Sequence, residues 1–149
     1  MKSNQGAAMI WALILFTIIT ILLTSMIFIA RQDILETTIH EERLRTFYIA
    51  LSGVDIGYAA LMALDGTEQY IEQFITDEDK TVTDIIDITI NAQKMGEASV
   101  TLDSVTVDGK RWIRVLSVGQ LVDGTQTVTS IMRINPDNTQ HTIREGFTP

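Results

Sequence analysis

The chain has 149 residues, with 19 acidic against 11 basic side chains and a formal charge of −8. Its Lys and Arg stand singly or as Lys110-Arg111, so no phosphate-neutralising surface can be assembled and nucleic-acid contact is not expected. No cysteine is present, which excludes disulfides, thiolate metal sites and thiol nucleophiles.

Residues 1–6 form a short leader, Met1-Lys2-Ser3-Asn4-Gln5-Gly6, whose one charged side chain is Lys2. Residues 7–30 follow without a charge, a glycine or a proline. As an α-helix this run is roughly 36 Å long, enough to cross a hydrocarbon layer of roughly 30 Å. The hydroxyls of Thr17, Thr20, Thr24 and Ser25 can bond back to carbonyls of the preceding turn, so they are compatible with lipid. A positive leader stays cytoplasmic, which predicts a single pass through the cytoplasmic membrane with the rest of the chain on the far side. A cleaved secretory signal fits poorly, because its apolar core is usually 7–15 residues and lies ahead of small residues at the cut.

Helix-forming residues continue through 31–64, and no Gly or Pro occurs before Gly53. Leu44, Phe47, Leu51, Val54, Tyr58 and Leu61 alternate gaps of three and four, one stripe predicted to pack beneath the head. Gly53, Gly57 and Ala60 lie beside it and point to a close approach of another backbone, or are tolerated defects. Gly66 is expected to cap the helix after Leu64-Asp65, giving a continuous helix of roughly 87 Å.

The leader ending in Gly6, the apolar run starting at Ala7 and the stretch Phe47-Tyr48-Ile49-Ala50-Leu51-Ser52-Gly53-Val54-Asp55 together resemble the type IV pilin-like family. Within it the chain is most similar to PilX-like minor pilins and GspK-type minor pseudopilins. The resemblance covers residues 1–64 well and the remainder in outline. It implies cleavage by a prepilin peptidase between Gly6 and Ala7, N-methylation of Ala7, storage in membrane lipid, and assembly with other pilins or pseudopilins through an assembly platform protein. Major pilins carry Glu at the fifth mature position, which here is Trp11, and Leu51 replaces a residue often acidic in PilX-like chains.

Residues 65–149 form the head. The segment 67–75 reads as a short helix with Thr67 as N-cap. The segment 85–92 alternates β-branched and polar residues as a strand, and stronger strands are predicted at 98–107, 111–118 and 125–134. Asp108-Gly109 and Asp123-Gly124 between them are hairpin signals. The apolar set changes face after Asp103-Ser104, which predicts a bulge near Ser104. The tail after Pro136 either frays or adds an edge segment. A sheet needs a cover, and the helix stripe is the long apolar surface on offer, so the expected fold is α+β: an antiparallel β-meander on the C-terminal half of a long helix, Trp112 being a large core contributor.

Catalytic signals are thin. His40 and His141 are the two histidines; His40-Glu41 lacks a second His at position 44, and P-loop, nucleophile-elbow and dinucleotide motifs do not occur. Asp77, Glu78, Asp79, Asp84 and Asp87 form the one acidic patch, with Asp77 and Asp79 as weak calcium candidates, but the EF-hand pattern fails at Val82 and Ile88. A solvated acidic loop is the simpler reading, and no cofactor is expected. The sequence thus reads as a non-catalytic minor pilin or pseudopilin, placed at a filament tip and promoting the start of assembly. The alternative is a membrane-anchored binding or sensor domain that keeps residues 1–6.

Overall fold

The computed structural model describes residues 4–66, 68–124 and 126–148, with side chains at 8–66, 68–124 and 126–145. Two compact units are distinguished, 1–40 and 41–149, and one helix, α1 (Asn4–Met62), contributes to both. In the first unit every described residue from 8 to 40 is exposed, its apolar side chains included.

The second unit is an α+β domain. After α1 come a two-residue hairpin, β1 (Leu64–Asp65) with β2 (Glu68–Gln69), then α2 (Ile71–Thr76). Five strands follow: β3 (Val82–Ile90), β4 (Gln93–Val107), β5 (Lys110–Leu121), β6 (Thr127–Asn135) and β7 (Asn138–Thr148). They pair antiparallel in chain order, a plain meander, with β3 and β7 at its edges. The tail expected to fray or to add an edge is therefore the edge strand β7.

The expected ends of the first helix and of α2 are corrected. Helix α1 stops at Met62, and Gly66, at φ +77°, turns the β1–β2 hairpin instead of capping the helix. Because Glu68 and Gln69 are spent on that hairpin, α2 starts only at Ile71 with Tyr70 as its N-cap; Thr67 lies outside the described residues. Gln73 Nε2 donates to Asp65 at 2.7 Å and ties α2 back to the hairpin.

Of the two Asp-Gly signals, one makes a two-residue turn. Asp108 and Gly109 sit at φ +52° and +73° between the paired residues Val107 and Lys110, both left-handed as a type I′ turn requires. At Asp123-Gly124 the last pair is Gln120 with Thr127, so the connection is longer, and Gly124 is not among the positive-φ residues. A second left-handed pair, Asn91 and Ala92 at +52° and +63°, joins β3 to β4.

Residues 96, 98, 100 and 102 of β4, 113, 115, 117 and 119 of β5, and 128, 130, 132 and 134 of β6 are buried on one face. Against that face pack Ile49, Val54 and Leu61 of α1 with Ile71 and Phe74 of α2. The bulge expected near Ser104 is absent, since β4 and β5 pair without a break from Gly96 to Val107; register shifts fall instead between Ile88 and Thr89 in β3, and between Thr129 and Ile131 and between Ile134 and Asn135 in β6. The change of apolar face has another cause. Past Leu102 the inward Ser104 accepts a hydrogen bond from Arg111 (3.2 Å), while Val105 and its register partner Trp112 belong to the opposite face. Trp112 is thus not in the core under the helix: it is half-buried on the outer face, its ring centroid 5.8 Å from that of His141.

Candidate functional site

The contact between α1 and the sheet is made by small residues. Buried positions on the helix are Thr46, Ile49, Ala50, Gly53, Val54, Gly57 and Leu61, a single face. This corrects the predicted stripe. Val54 and Leu61 are shared with it and wholly buried, and Tyr58 packs half-buried against the core; Phe47 and Leu51 are half-buried beside it, and Leu44 is 53% exposed. Bulk misled the reading: the sheet comes too near to accommodate large side chains at the centre of the contact, so the line of closest approach runs through the glycines. A Cβ on Gly57 would lie 2.7 Å from Val115 and 2.9 Å from Val100. Ala60, grouped with them by sequence, is exposed. From the other side Gly119 of β5 sits against helix backbone, where a Cβ would be 2.5 Å from the Ala50 nitrogen. Thr46, fully buried, satisfies its hydroxyl on the Glu42 carbonyl at 2.8 Å.

The apolar segment has the polar satisfaction that lipid demands. Thr17, Thr20, Thr24 and Ser25 donate to the carbonyls of Leu13, Phe16, Thr20 and Ile21 at 2.6–2.9 Å. Among the described residues one helix, Ala8–Met62, is long and apolar enough to cross a membrane. Trp11 is 72% exposed on it. Gly6 and Ala7, the expected processing junction, have helical backbone, but their side chains and residues 1–3 lie outside the described residues. His40 is exposed on α1.

The acidic patch is dispersed rather than convergent. Asp77 Oδ1 accepts the Asp79 N–H at 3.2 Å, Glu78 pairs with Arg111 at 3.2 Å, and Asp87 pairs with Lys94 at 2.9 Å. Asp84 accepts the N–H of Ile85 at 2.9 Å. Among the described residues no three His, Cys, Asp or Glu side chains gather as metal ligands. Asp77 and Asp79 therefore form a local turn on themselves.

Arg111 was not singled out by sequence, yet it links three elements. From β5 it donates to the Phe74 and Ile75 carbonyls in the last turn of α2, and also to Glu78 and Ser104. A cation at a helix C-terminus is favoured by the helix dipole and by the unpaired carbonyls there. On the outer face Arg114 grips its register partner Asp103 with two donors, and this hydrogen bonding holds the guanidinium pKa above its ordinary value. Lys94 is likewise raised, first by Glu97 and then by Asp87, although it is solvent-exposed.

No family model, no curated protein and no solved structure matches this chain.

Proposed function

We propose that this protein is a non-catalytic minor pilin or pseudopilin, held in the cytoplasmic membrane by residues 7–30 with its head outside. A prepilin peptidase removes residues 1–6, and the assembly platform then moves the subunit into an extracellular or periplasmic filament among other pilins or pseudopilins. The observation that carries this reading is α1 itself. An uncharged, fully exposed segment continues as one helix into a half whose inner face lies under an antiparallel meander, while Leu44, Tyr48 and Ile56, at 53%, 58% and 41% exposure, leave apolar groups among the charged ones on its outer side. Such a helix suits storage in lipid followed by packing against other helices. The resemblance of residues 1–64 to PilX-like and GspK-type chains supports the same reading.

Mass spectrometry of the N-terminus in a host with a prepilin peptidase tests it. The expected mature chain begins at a methylated Ala7, and Gly6→Leu retains all six leader residues, because a peptidase gripping the junction has little room for a side chain. Retention of Met1–Gly6 in the unaltered protein refutes the filament reading and leaves a membrane-anchored binding or sensor domain.

A further inference from the structure

A cleft of about 390 Å³ opens at the end of the sheet that holds the start of β5 and the β6–β7 turn. That volume lies at the small end of the ~300–1,000 Å³ range of small-molecule sites. Apolar surface comes from Trp112, Ile75 and Pro136; the polar groups are Lys110, Arg111, Asn135 and Asp137. The site is braced from behind. The His141 ring supports Trp112, Asn135 Oδ1 accepts the Asp137 N–H at 2.9 Å, and Arg111 is fastened to the end of α2. Besides the buried Arg111 Nε–H, which has no partner among the described residues, those bonds leave three groups unspent: the Asn135 amide N–H₂, the Asp137 carboxylate and the Lys110 ammonium. Neither Lys110 nor Asp137 forms an ion pair among the described residues.

We infer that this cleft binds a single sugar ring, its C–H face against the Trp112 indole and its hydroxyls on Asp137, Asn135 and Lys110. The chemistry selects this class. A ring hydroxyl donates to a carboxylate and accepts from an amide or an ammonium, so it can satisfy all three unspent groups together. An apolar ring of the same size would strand them, at the cost of desolvating polar groups without partners. A phosphate would meet the Asp137 carboxylate beside Lys110, while the charge of the other cation in the lining, Arg111, is already paired with Glu78 at 3.2 Å. The volume accommodates a small ring.

The test uses the full chain carrying Trp11→Phe, which makes Trp112 the one indole, in a detergent without a sugar headgroup. Emission is followed while D-galactose, N-acetyl-D-glucosamine, D-glucuronate or inorganic phosphate is added. A saturable shift is expected with at least one sugar, at a Kd on the order of millimolar, as suits a small polar ligand with few contacts. Asn135→Ala and Asp137→Ala each raise that Kd roughly tenfold, the equivalent of one lost hydrogen bond. Lys110→Gln, at an exposed position that cannot unfold the head, weakens glucuronate binding more than galactose binding if both bind, and otherwise weakens whichever sugar does. No saturable shift with any of the three sugars overturns the inference. So does unchanged affinity in all three variants, or phosphate binding as tightly as the best sugar. The readout does not depend on leader removal or filament entry.

Discussion

Ser117 of β5 lies so close to Gly53 of α1 that a Cβ added to the glycine would be 2.2 Å from the Ser117 hydroxyl oxygen. The helix therefore rests on the sheet with only the small side chains of Ser117 and Ala98 between them at this point. The same hydroxyl is buried without a hydrogen-bond partner among the described residues. Gly53→Ala recovers about 1 kcal/mol of helix propensity but overpacks the contact by about 1–3 kcal/mol, for a net loss. Gly119→Ala should cost at least about 2 kcal/mol, because its new methyl meets the Ala50 nitrogen and the Thr46 carbonyl, which are helix backbone and cannot swing aside. Denaturant melts with a double-mutant cycle check this: the loss for Gly53→Ala should shrink in a Ser117→Gly background. Equal losses in both backgrounds would show that the two positions do not touch.

The two phenylalanines flanking the core should separate by stability. Phe74 is fully buried in α2, so Phe74→Ala is expected to cost about 3–5 kcal/mol. Phe47 is half-buried and stacks on Tyr48 with ring centroids 5.2 Å apart, so Phe47→Ala should cost clearly less. A reversed order would place the flank of α1, rather than α2, in the core.

Ala92 occupies the left-handed region at φ +63°, where a Cβ costs about 1–2 kcal/mol. Glycine removes that cost and gives back part of it as chain entropy, so Ala92→Gly should stabilise the head by about 0.5–1 kcal/mol. Thermal melts in which Ala92→Gly is neutral or destabilising would place this turn in another conformation.

How far the sequence could be read follows from what each signal measures. The apolar run at 7–30, the helix continuing to about residue 62 and the Asp108-Gly109 turn are local, and periodicity or turn chemistry is enough to find them. Which face of α1 meets the sheet is not local. Summed hydrophobicity favours the large residues Leu44 and Phe47, while the contact is set by how near two backbones come, a quantity written in Gly53, Gly57 and Gly119. Trp112 was misplaced for the same reason, since size alone does not say which side of a strand a ring occupies. The Asn91-Ala92 turn carries only half of the usual sequence cue, and the bracing by Arg111 joins residues more than thirty positions apart.

Lys94 bridges Asp87 on β3 and Glu97 on its own strand, and both interactions raise its pKa above the ordinary 10.5. A raised basic pKa stabilises the folded state below the unfolded value, and the contribution is lost as pH rises through the folded value. The stability gap between the unaltered protein and Lys94→Met should therefore be constant from neutrality up to 10.5 and close above it. The gap is small, because these side chains are solvent-screened. Finding none at neutral pH would mean that solvent cancels the pairing.

Trp11 bears on where the subunit sits, if it enters a filament. In a pilin bundle the α-amine of the first mature residue is drawn into apolar surroundings, where an isolated ammonium is costly by several kcal/mol even after relaxation. A Glu at the fifth mature position of a neighbouring subunit can neutralise it. Counted from Ala7, that position is Trp11, an exposed indole on the apolar helix that brings no carboxylate. This chain cannot neutralise the amine of a subunit already above it, whereas its own amine can be met by a Glu from the subunit added below. The asymmetry suits the end of a filament, with this protein first in and present in few copies. Immunogold labelling of sheared filaments should mark one end only. Trp11→Glu should spread or weaken the end label, because the variant can then follow another subunit. Uniform labelling of the shaft by the unaltered protein would refute tip placement and leave Trp11 as an aromatic anchor at the membrane interface.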